Sequence, residues 1–96
     1  MYKSESIIND LLIEVDLLSN RLTNIKHAYR NTLHYGLRKR LLCENKINYL
    51  RLKEIYSIAK ELKNMNKDKL SFSYLLVEKC ERSIAQSRFE KNLFFL

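Results

Sequence analysis

Ninety-six residues with 46% hydrophobic and 30% charged side chains make one globular domain with a modest core, which excludes a second independent domain and the apolar-poor composition of disordered chains. One Gly and no Pro leave too little turn chemistry for a β-sandwich or barrel, and so point to an all-α protein. The formal charge of +7 is unevenly spread: residues 1–16 carry −3, residues 21–43 carry +6 without one acid, and residues 44–96 carry +4.

The opening segment holds the clearest pattern. Ile8, Leu11, Val15, Leu18, Leu22, Ile25 and Tyr29 alternate spacings of three and four, which places them on one stripe of a helix and makes a heptad seam. Ser4 or Ser6 is expected to cap its start. Asn9, Asp10, Glu14 and Asp16 interrupt the segment, so it cannot supply the roughly 20 apolar residues of a membrane span, and it lacks the pattern of a secretory leader. A cytoplasmic protein is the expectation. Two cysteines outside any CxxC pair, Cys43 and Cys80, agree with it and read as packing thiols.

Past Tyr29 the seven-residue count lands on Gly36, Lys39, Lys46 and Lys53, so the seam is lost and the first helix is expected to run over about 5–35. Gly36 reads as a left-handed C-cap with Leu37 folding back on the last turn. The other reading keeps Gly36 inside one unbroken helix, at a cost of about 1 kcal/mol relative to Ala.

A second helix is expected over 37–64. On its wheel Leu41, Leu52, Ile55, Ala59 and Leu62 gather on one face, with Cys43, Ile47 and Leu50 opposite; two apolar faces call for two partners. Residues 62–71, LKNMNKDKLS, are the expected loop. Asp68, Ser71 or Ser73 would cap a third helix over 70–92, whose stripe is Leu70, Tyr74, Val77, Cys80 and Ile84. The chain closes on the apolar Leu93, Phe94, Phe95 and Leu96. The expected architecture is a small antiparallel three-helix bundle built on a long helical hairpin, a single domain over 1–96, with self-association into a dimer expected.

Catalytic chemistry is not legible. A single Gly excludes the glycine-rich phosphate loops, and neither HExxH nor the Glu-x-x-His di-iron pattern occurs. His27 and His34 stand two turns apart among Arg and Lys, too far from each other to share a metal. No catalytic residue, metal site or cofactor is assigned.

The acid-free stretch is the one departure from ordinary surface decoration. Lys26, Arg30, His34 and Arg38 follow one another at intervals of four, with Lys39 and Arg40 beyond, which suits contact with phosphates or other anions. Two functions are therefore expected. The first is a non-enzymatic interaction or regulatory module that binds a protein partner or itself through helix faces, with Ile47, Leu50 and residues 93–96 at the interface. The alternative is a nucleic-acid-associated protein using the basic stripe.

Overall fold

The computed structural model describes residues 2–65 and 72–87, with side chains from Ser6 onward. Three helices follow in order: α1 (Tyr2–Asn31), α2 (Tyr35–Met65) and α3 (Phe72–Gln86). All three pack on one another, in an elongated body of 49 × 20 × 16 Å. No described helix is long and apolar enough to cross a membrane.

The heptad seam of α1 forms one wall of the core, as its spacing requires. Ile8, Leu11, Val15, Leu18, Leu22 and Ile25 are buried, and Tyr29 is half-buried. From α2 come Leu41, Leu52, Ile55 and Ala59, with Leu52, Ile55 and Ala59 wholly excluded from solvent. Each large aliphatic buried this way contributes roughly 1.5–3 kcal/mol of transfer free energy, so this seam is the main force closing the hairpin.

Ion pairs and hydrogen bonds fix the directions. Arg51 of α2 grips Glu14 of α1 with both Nε (2.6 Å) and Nη2 (2.8 Å), which sets an antiparallel register. Lys79 of α3 reaches Asp16 at 2.8 Å and Ser19 donates to Gln86 at 3.3 Å, so α3 runs with α1. It runs against α2, where Tyr56 meets Glu81 and Asn45 meets Ser87.

Three expectations need correction. Gly36 is not a left-handed cap: no glycine has positive φ, and Gly36 is the second residue of α2. The break lies earlier, at Thr32–His34, and Leu37 is exposed instead of folding back. Nor do Ser4 and Ser6 cap α1, which begins at Tyr2. The buried face of α3 is Ser73, Leu76, Val77, Cys80 and Ser83, with Ser87 buried just past its end; it is turned by about 60° from the expected stripe, and Tyr74 and Ile84 are only half-buried. Small side chains let α3 sit close to the hairpin, so burial there follows size more than polarity. Leu70, Asp68, Ser71 and residues 93–96 lie outside the described residues.

Candidate interaction surfaces

The hairpin end is built by side chains bonding to backbone. Thr32 Oγ1 accepts from the His34 amide at 3.2 Å, which bends the chain after α1. His34 is then the N-cap of α2: its carbonyl accepts the Arg38 amide at 2.9 Å, and its Nδ1 accepts the Leu37 amide at 3.1 Å. The imidazole accepts there through the lone pair on Nδ1. Gly36 makes room for this ring. A Cβ at Gly36 would stand 3.2 Å from His34 Cε1 and 3.5 Å from Nδ1, closer than ordinary packing allows at the first of these.

Arg38 ties the two helices together across that turn. Its Nε donates to the Tyr29 carbonyl at 3.4 Å, one of the last four carbonyls of α1, which have no partner within the helix. Its guanidinium stacks over the Tyr29 ring at 4.4 Å, where the ring quadrupole attracts the cation. Tyr29, Tyr35, Arg38, Lys39 and Leu42 line a cleft of about 300 Å³ beside this stack.

The expected anion-contact residues are thus divided by the turn. Lys26 and Arg30 belong to α1, and Arg38, Lys39 and Arg40 to α2. Arg38 and Lys39 share the cleft. Arg40 pairs with Glu44 at 3.3 Å, both exposed, and the His34 ring is engaged as a backbone cap. The seven-residue count that breaks the α1 seam at Lys39, Lys46 and Lys53 also marks a basic row that the charge of each segment does not show as one group: Lys46, Lys53 and Lys60 follow Lys39 at intervals of seven, all exposed. Summing charge by helix face, in place of sequence segment, would have found them.

The two faces of α2 have opposite fates. Leu41, Leu52, Ile55 and Ala59 are buried, but Ile47 and Leu50 are 66% and 54% exposed. On α1, Ile13 and Leu17 are 61% and 53% exposed. The Glu14–Arg51 pair sets Leu17 level with Ile47, both on the outer side of the groove between α1 and α2, with Leu50 further round α2 on the side away from the core. Arg51 also holds Glu54 at 2.6 Å, so this face has apolar ground around a fixed ion network. The hydrogen bonds from Arg51 hold the Glu14 carboxyl below its ordinary pKa, against the opposing effect of burial.

The chain matches no known family model, no curated protein and no solved structure. The surfaces themselves therefore carry any functional reading. Among the described residues no cluster of three or more His, Cys, Asp or Glu is placed to hold a metal ion. A second, polar cleft of about 250 Å³ lies between α1 and α3, lined by Asp16, Ser19, Lys79, Arg82, Ser83 and Gln86. Its charges are paired within the fold, Asp16 with Lys79 and Arg82 with Glu78.

The cysteines differ. Cys43 is exposed and Cys80 is buried; loss of hydration pushes the Cys80 thiol up to about 11, with the nearby Glu81 charge acting in the same sense. Cys80 is thereby kept as a packing thiol, and Cys43 sits at the edge of the Ile47–Leu50 stripe, four and seven residues before them.

Proposed function

We propose that this protein is a non-enzymatic helical interaction module, and that the outer face of the α1–α2 hairpin receives a second copy of the chain. One observation carries the reading: Ile13, Leu17, Ile47 and Leu50 are each more than half exposed, although the core is complete without them. Singly exposed aliphatics are ordinary on any protein; Leu17 and Ile47 flank the outer side of the α1–α2 groove, with Ile13 and Leu50 further round their own helices, and an apolar cluster of this kind suits an interface. A two-fold pairing of this face would bring it against itself, as an isologous dimer requires.

Sedimentation equilibrium of the wild-type chain and of the Ile47→Gln/Leu50→Gln variant tests this. Dimer for the first, monomer with unchanged helicity for the second, is the expected pair of results. A wild-type chain that stays monomeric across the accessible concentration range would refute the reading. Gln is a good helix former and adds no charge, so a change in assembly reports on lost apolar contact alone.

A further inference from the structure

A different face of α2 carries a pattern that goes beyond the interaction module. Lys39, Lys46, Lys53 and Lys60 recur every seven residues, about 10.5 Å apart along the helix. Between them, also every seven residues, stand Tyr35, Leu42, Tyr49 and Tyr56, and Lys63 continues that row. The two rows interleave at spacings of four and three, so they form one ribbon along almost the whole of α2, about 42 Å from Tyr35 to Lys63. The acids of α2, Glu44, Glu54 and Glu61, all fall about 100° or more from the centre of the ribbon on the wheel.

The lysine row is exposed, and the ring row beside it is half-buried from Leu42 to Lys63, with the Tyr56 hydroxyl donating to Glu81 of α3 at 3.0 Å. The four heptad lysines are exposed, and among the described residues no carboxylate forms an ion pair with them. Rings and cations lie side by side: Lys53 over Tyr49 at 5.9 Å, Lys60 over Tyr56 at 4.6 Å. At the start of α2 the ribbon runs into the cleft of about 300 Å³ beside the Arg38–Tyr29 stack, where Tyr35 is 78% exposed.

We infer that this ribbon is a binding surface for single-stranded nucleic acid. An unbroken row of ammonium groups selects a polyanion. The interleaved rings select among polyanions, because a single strand offers unstacked base planes along with its phosphates. A duplex keeps its bases stacked inside. An acidic peptide brings carboxylates without planes, and a lipid surface would call for large aliphatic side chains to insert, of which the ribbon has only Leu42. In the bound state the lysines contact phosphates, and Tyr35, at the mouth of the cleft, stacks a base whose neighbouring phosphate Arg38 and Lys39 can reach.

Fluorescence anisotropy with labelled oligo-dT and oligo-U of about a dozen nucleotides tests the inference on the full chain, with poly-glutamate and vesicles of phosphatidylserine and phosphatidylcholine as comparison probes. Four neutralised phosphates give a slope of about −2.8 in log affinity against log salt, roughly a 50-fold loss between about 50 and 200 mM. Lys39, Lys46, Lys53 and Lys60 changed together to Gln should remove most of that dependence and of the binding, leaving the slope of about −0.7 that one contact from Arg38 supplies; the same four changed to Arg should keep both. Tyr35→Ala should weaken oligonucleotide binding roughly fivefold or more at an unchanged salt slope, the mark of a lost stack.

Three results would each overturn the inference: no oligonucleotide binding at about 50 mM salt, poly-glutamate or vesicles bound as tightly as the oligonucleotides, or indifference to Tyr35→Ala. The Ile47→Gln/Leu50→Gln chain, assayed in parallel, separates this surface from the proposed dimer face, since its binding per chain should persist whether or not the wild type self-associates.

Discussion

His34 and Gly36 should be energetically coupled, and a double-mutant cycle measures by how much. Replacing Gly with Ala inside a helix stabilises by up to about 1 kcal/mol, and the negative φ of Gly36 permits the change. The new Cβ, however, would stand 3.2 Å from the His34 ring, so the ring must move by a few tenths of an ångström. That motion stretches the 3.1 Å bond from the Leu37 amide to Nδ1, and an N-cap is worth about 1 kcal/mol. The gain and the loss therefore nearly cancel: Gly36→Ala alone should shift stability by less than about 0.5 kcal/mol. His34→Ala alone should cost about 1 kcal/mol. Once the ring is gone, Gly36→Ala should stabilise by about 0.5–1 kcal/mol, which makes the coupling about 0.5–1 kcal/mol. Urea unfolding of the four proteins, followed by far-ultraviolet circular dichroism, reads all the terms. Equal stabilisation by Gly36→Ala in both backgrounds would show that the glycine does not serve the cap.

Two further expectations concern titrating groups. Glu14 has its carboxyl lowered from the ordinary value of 4.5 by Arg51, so its contribution is complete above that value and fades as pH falls through the depressed native pKa. With side chains 34% and 39% exposed, the pair should contribute no more than about 1 kcal/mol; Glu14→Gln should cost that at pH 7 and nothing once the pH is well below the native value. A deficit independent of pH would mean that Glu14 acts through packing. The two thiols should separate in a disulfide-exchange assay with Ellman's reagent: Cys43 reacts with the native protein, and Cys80, buried with its thiol raised to about 11, reacts at the rate of local or global opening. Equal rates would contradict the burial of Cys80.

How much was legible in the sequence varies with the side chains that do the packing. The α1 seam could be read because six large aliphatics, Ile8 to Ile25, mark one stripe and hydropathy alone identifies them. The α3 face could not, because Ser73 and Ser83, with Ser87 just past the helix end, fill half of it; a serine hydroxyl can bond nearby backbone, as Ser87 does with the Ile84 carbonyl at 2.6 Å, and so be buried without a distant partner. The turn was misplaced for a related reason. The lone glycine drew the expectation of a break, while the break itself is made by Thr32 and His34 bonding to nearby amides, a role their sequence positions do not announce. The second apolar face of α2 was read from Cys43, Ile47 and Leu50; that it stays open depends on where α3 docks, which is a property of the tertiary fold. The charge of Arg38 suits an anion contact, and its stack on Tyr29 appears only once α1 and α2 fold back on each other.

The exposed aliphatic stripe borders the lysine ribbon on α2: their centres are about 110° apart around its axis, and Leu50 is a surface neighbour of Lys46 and Lys53, four and three residues away. Two chains joined through the stripe would hold two ribbons in one particle, each about 42 Å long, and a strand caught by the first would meet the second at a high local concentration. For a strand long enough to span both ribbons such bivalence multiplies avidity without any new contact, while the affinity of each ribbon for a short strand is unchanged by pairing.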